Sequence, residues 1–193
     1  MLDESSTRSR RAFIWVTTGL ALLVVAGCLV FSADVLSGAA AATRSSARFS
    51  GLVMAAAVVA RAPRPLVWSR RRTELTLSFV AAHGVHYATV IMRAVVEPSH
   101  ELRRFAIGFD LVVLLGVVLL ALIAGTARAT SVTGRRANAI GFYVAWTVFV
   151  LASALRARMY VASAGVLGAL IAAMVWRIAS AVTAARIPPR TRT

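Results

Sequence analysis

The sequence contains no lysine, a single cysteine and only seven acidic residues among 193. Each shortage closes a class of function. The lone Cys28 excludes an intrachain disulfide and a cysteine-based metal cluster. It lies in an apolar run and reads as a small, buried, apolar side chain. With acid this scarce and 59% of residues hydrophobic, too little polar surface remains to clothe a soluble domain of this size. No Gly-rich phosphate loop occurs, and no stretch between the apolar runs could house a flavin or nicotinamide domain.

What the chain does have is arginine. All 22 basic residues are Arg, and the formal net charge is +15. In a soluble domain that balance would point to nucleic acid. Here the arginines stand in short clusters between long apolar runs, as in the loops that flank membrane spans. No basic face of a folded soluble domain is left to bind nucleic acid. The partner that this composition implies is the lipid bilayer.

The pattern predicts an all-α integral membrane bundle of about six transmembrane helices, at 12–31, 45–62, 75–92, 105–127, 137–155 and 159–182. The bundle occupies residues 12–183. Residues 1–11 are read as a cytoplasmic N-terminal segment and 184–193 as a short, polar, cytoplasmic tail. The first run, 20 residues long, exceeds the roughly 7–15 of a signal-peptide core and suits a retained span. The second is the shortest, with 12 uncharged residues between Arg48 and Arg61. It spans only if those two arginines snorkel to opposite interfaces. Pro63 and Pro65 then stop it. The fourth is interrupted only by Asp110.

Arginine placement orients the bundle. Fourteen arginines fall in the segments assigned to the inside and seven in those assigned outside, with Arg177 near the inner end of the last span. This bias predicts cytoplasmic N- and C-termini and a multi-pass protein of the cell membrane. Arg70, Arg71 and Arg72 mark an inner boundary, within reach of anionic head groups. Ala164 and Gly168 form a small-xxx-small pair suited to close helix packing.

Polar residues inside spans are costly and are functional candidates by default. His83 and His86 lie about 12 and 16 Å into the third span, near mid-bilayer. Their i, i+3 spacing puts them on one helix face. Gly84 beside them removes a side chain, leaving room for something flat or bulky. Buried imidazoles can ligate haem iron, relay protons or hydrogen-bond across helices. Two histidines one turn apart cannot both ligate one iron, because axial ligands sit on opposite faces of the metal. A second ligand would come from another helix or subunit. His100, in a loop, and Met54 and Met174, in other spans, are the candidates in the chain. Asp110 reads as an interfacial carboxylate paired with Arg93, Arg103 or Arg104, or as part of a proton relay. Trp15, Trp68, Trp146 and Trp176 read as interfacial or packing aromatics.

One stretch carries a family resemblance. Arg70-Arg71-Arg72-Thr73-Glu74-Leu75-Thr76-Leu77-Ser78-Phe79, followed by His83 and His86, resembles the third helix of the ferric reductase-like transmembrane domain. Ala62-Pro63 and Leu66 resemble the turn before it. Phe105 to Gly108, Gly134-Arg135-Arg136 and Gly141-Phe142-Tyr143-Val144-Ala145-Trp146 resemble its fourth and fifth helices. The resemblance implies a six-helix haem b domain moving electrons across the membrane, fed by quinol or a flavoprotein donor. It places His86 at the main haem-ligating position and His83 at an extra one. Where the family's fifth helix carries a ligating histidine, this chain has Asn138; Thr76 replaces a third-helix glycine.

Three readings follow. The first is a ferric reductase-like haem b electron-transfer protein, a membrane oxidoreductase with His86 and His83 as ligands to the iron. The second is a degenerate, cofactor-free bundle acting as a scaffold or partner subunit. The third is a proton-linked transporter or channel lined by Asp110, His83 and His86.

Overall fold

The computed structural model describes residues 4–62, 72–97, 132–157 and 161–185. Five helices account for nearly all of them: α1 (Glu4–Val30), α2 (Val35–Val59), α3 (Arg72–Val96), α4 (Val132–Ala157) and α5 (Val161–Ala185). No strand occurs among the described residues. The predicted span at 105–127, with Asp110, lies outside them, as does His100.

Among the described residues three helices are long and apolar enough to cross a membrane, at Ala12–Val30, Arg72–Val96 and Val161–Ala185. α4 carries a shorter apolar stretch, Ala139–Leu151. α2 has the length, about 37 Å at 1.5 Å per residue, but its arginines and hydroxyls set it apart. Two hydroxyls of the first span are satisfied within their own helix. Thr17 and Thr18 donate to the carbonyls of Phe13 and Ile14 at 3.0 and 2.8 Å, so neither costs an unpaired donor in lipid.

α2 begins at Val35, ten residues before the span drawn from residue 45. The reason is a local cap. Asp34 has extended backbone (φ −149°, ψ 166°), and its Oδ1 accepts from the Ser37 N–H at 2.8 Å. The Ser37 hydroxyl donates to Oδ2 at 2.9 Å. The first of these satisfies a first-turn N–H that would otherwise be orphaned. α1 and α2 are therefore joined by only residues 31–34 and run antiparallel. Arg44, read from sequence as a loop residue, lies inside α2, and Arg48 lies near its midpoint rather than at an end. The other end of α2 closes with Arg61 N–H and Ala62 N–H donating to Val58 and Val59 carbonyls at 3.1 and 3.0 Å. Arg72, from the start of α3, donates to the carbonyls of Ala60 and Ala62 at 3.0 and 3.3 Å, pinning α3 to the end of α2.

α2 packs against α1, α3 and α5, and α4 packs against α5. The core joins Met54 and Val58 of α2, Leu75 and Phe79 of α3, Phe142 and Phe149 of α4, and Val166 and Leu170 of α5. Trp146 Nε1 donates to the Leu170 carbonyl at 3.3 Å, tying α4 to α5. α2 and α5 approach closely at Gly51, where a Cβ would stand 2.6 Å from Val166 Cγ1. Ala164 and Gly168, the small pair picked out in the sequence, face outward instead, while Ser163, Val166 and Leu170 turn inward.

Candidate histidine site between α2 and α3

His83 and His86 are each 2% exposed. Both lie within two residues of the midpoint of α3. Across from them, α2 presents a polar stripe: Thr43, Ser46 and Ser50, with Met54 continuing the same face one turn on. The serine spacing of four matches the histidine spacing of three, because residues three and four apart both return to one helix face. Ser46 Oγ lies 3.1 Å from His86 Nδ1, and Ser50 Oγ lies 3.4 Å from His83 Nδ1.

A chain of hydroxyls extends the seam. Thr89 donates to the His86 carbonyl at 2.6 Å. Thr43 Oγ1 reaches the Ala39 and Thr89 carbonyls at 2.8 and 3.1 Å. Ser46 Oγ is 3.0 Å from Thr89 Oγ1 and 3.2 Å from the Thr43 carbonyl. This pattern is compatible with one arrangement of protons. The Thr89 hydroxyl has given its hydrogen to the His86 carbonyl, so the Ser46 hydrogen serves Thr89 or the Thr43 carbonyl. In that arrangement His86 Nδ1–H donates to Ser46. The lone pair of the His86 ring is then on Nε2.

His83 sits among aromatics. Its ring stacks on Phe79 at 5.8 Å, meets Phe149 edge-on at 5.1 Å and lies 5.4 Å from the His86 ring. Its Nε2 is shielded from solvent and has no hydrogen-bond partner among the described residues. A buried polar nitrogen left this way costs roughly 1–3 kcal/mol, so it calls for an explanation. Gly84 is exposed, with nothing within 4 Å of a Cβ built on it. It therefore opens no space toward the seam.

The residue that α4 sets against His83 is Phe149, not Asn138. Asn138 belongs to α4 but lies eleven residues earlier, about 16 Å back along the helix axis. Arg93, considered from sequence as a partner of Asp110, pairs with Glu97 at 2.8 Å. Met174 packs at the margin of the core. No group of three or more His, Cys, Asp or Glu gathers among the described residues.

Toward a haem iron the seam offers imidazole nitrogens from α3 alone. Two imidazoles have Nδ1 anchored to serine, the usual way a protein orients a ligating ring, and His83 Nε2 is orphaned. The opposing α4 position holds an aromatic ring instead of a second donor. Sequence reasoning found both histidines but missed Ser46, Ser50 and Thr89. Their signal was the Ser46/Ser50 spacing of four inside a run too short and too arginine-flanked to be read as the bundle centre.

No protein-family model, curated protein or solved structure matches this chain; the site rests on its own residues.

Proposed function

We propose that this chain is a six-span membrane protein with both termini cytoplasmic, and that the α2–α3 seam is a haem-ligating site of an electron-transfer domain. The orphaned Nε2 of His83, held in a site 2% exposed, carries the reading. His83 or His86 would hold haem b from the α3 side, each iron taking one of them, and Ser50 and Ser46 would keep the two rings oriented. The second axial ligand would come from outside the described residues or from another subunit. When bound, the group would supply one-electron redox chemistry, with quinol or a flavoprotein as donor. The family resemblance in the third helix supports the same reading.

A second reading has an observation of its own. The Ser46–His86 and Ser50–His83 pairs join two helices across a buried interface, and Phe149 closes on His83 where a ligand would be needed. On that basis the histidines would be interhelical fasteners in a cofactor-free partner subunit.

One measurement separates the two. The protein is purified in detergent, supplied with haem, and its reduced-minus-oxidised absorption spectrum recorded. Soret and α bands lost or shifted in His83→Ala support the first reading. A spectrum without bands in a folded, helical sample rejects it in favour of the second.

A further inference from the structure

The hydroxyls of the α2–α3 seam are unevenly shared between its two histidines. Among the described residues the Ser46 hydroxyl meets three groups: His86 Nδ1 at 3.1 Å, Thr89 Oγ1 at 3.0 Å and the Thr43 carbonyl at 3.2 Å. Ser50 meets one, His83 Nδ1, at 3.4 Å. Ser46, His86 and Thr89 are all buried, so their hydrogens are shared out within the seam.

Ser46 has one hydrogen for its three contacts. Thr89 decides where it goes. The Thr89 hydroxyl spends its own hydrogen on the His86 carbonyl at 2.6 Å, which leaves its oxygen an acceptor for Ser46. The Thr43 carbonyl is a poorer target, more distant and placed within α2, where helix carbonyls already accept a backbone N–H. With the Ser46 hydrogen on Thr89, the hydrogen of the Ser46–His86 contact has to come from the ring, which then carries it on Nδ1. Without the Thr89 oxygen, the imidazole lone pair becomes the best acceptor left to Ser46, and the ring hydrogen moves to Nε2.

We infer that Thr89 is a positioning residue that acts through Ser46 to hold His86 as the Nδ1–H tautomer. The lock belongs to the protein without any cofactor. Its use rests on the haem reading: a ring with its hydrogen on Nδ1 has its lone pair on Nε2, the form in which an imidazole ligates a metal. His83, whose serine makes a single long contact among the described residues, has no such relay.

The test is nitrogen NMR of the full chain in lipid vesicles, with nitrogen-15-labelled histidine, at mildly alkaline pH where imidazole is neutral. Protonated and bare ring nitrogens resonate far apart, and the signals lost in His86→Gln are those of His86. Wild type should show Nδ1 protonated and Nε2 bare. Thr89→Val keeps the branched shape and removes the hydroxyl. It should exchange the two states on His86 and leave the His83 tautomer unchanged, and Thr89→Ser should restore the wild-type pattern. A merely structural Thr89 would change stability without exchanging the tautomer. A bare His86 Nδ1 in wild type would overturn the lock with no variant needed, as would an unchanged tautomer in folded Thr89→Val. Haem titration of the same samples separates the lock from its use. Haem affinity about 10- to 100-fold weaker in Thr89→Val supports both. Unchanged affinity with an exchanged tautomer overturns the use. A wild type that shows the Nδ1–H pattern but takes up no haem rejects the haem reading and upholds the lock.

Discussion

α1 and the α2–α3 seam are built on opposite principles. α1 is the most apolar of the three candidate spans and the least buried. In order of falling hydropathy, Ala12–Val30, Val161–Ala185 and Arg72–Val96 bury 6%, 22% and 50% of their apolar windows. Trp15, Leu22 and Leu23 are 72%, 53% and 68% exposed. α2, with Arg44 and Arg48 and a stripe of hydroxyls, fails the apolarity criterion and yet lies at the centre. In water this ordering would be inverted. Lipid removes the hydrophobic penalty for an exposed leucine, so apolar side chains gain little by turning inward. Polar groups gain most, since each has no partner in hydrocarbon.

The contrast can be broken or sharpened by substitution. The largest effect is expected for Phe79→Ala. Phe79 is fully buried and touches both His83 and Phe149. Its loss should destabilise the bundle by about 3 kcal/mol, at the low end of core truncations because only packing is lost in lipid. Leu23→Ala on α1 should cost less than about 0.5 kcal/mol. Thermal unfolding of both variants in one detergent measures the difference. Equal losses would mean that α1 is covered as fully as the seam.

Gly51→Ala comes next. Val166 is stiff about χ1 and cannot swing away cheaply, so a Cβ 2.6 Å from its Cγ1 forces α2 and α5 apart. A loss of about 1–3 kcal/mol is expected. Adding Val166→Ala should restore most of it, and failure of that rescue would place the strain elsewhere.

Ser46→Ala should cost about 0.6–2 kcal/mol, since Ser46 meets both His86 and Thr89. Ser50→Ala should cost less, because its contact with His83 is long, at 3.4 Å. A double-mutant cycle of Ser46→Ala with His86→Ala isolates the pair. A coupling near zero would remove the hydroxyl seam as a source of cohesion.

The smallest effect lies outside the spans. The Ser37 backbone N–H, then its hydroxyl, hold the Asp34 carboxyl below the usual 3.8. A depressed folded pKa contributes stability above the unfolded value and loses it as pH falls through the folded one. Hydrogen exchange at the first turn of α2 should therefore be slow at neutral pH and quicken below about pH 4. Asp34→Asn should flatten that dependence, because an amide does not titrate.

Much of this was legible in the residues. Length and flanking charge located α1, α3 and α5, because a span about 20 residues long is required by the bilayer whatever its neighbours. Costly polar residues likewise drew attention to His83 and His86. α2 was legible only at its C-terminal end. Its start depends on one side chain, Asp34, reaching the Ser37 N–H, and window hydropathy carries no trace of a cap. Asn138 was matched to the histidines by family register. The level at which α4 docks, which brings Phe149 to His83, is set by packing along the whole helix pair.

The sequence alone determined that this is a helical membrane protein with two histidines on one face of a span. Composition and periodicity are properties of single helices, and the bilayer reads them one helix at a time. Only the tertiary structure decided what those histidines face: serines of α2 on one side, an aromatic ring of α4 on the other. It also laid Arg61, just past the end of α2, over the Phe142 ring of α4 and against Thr76 of α3. Those neighbours are fixed by helix depth and rotation, to which each side chain contributes a little and none a readable signal.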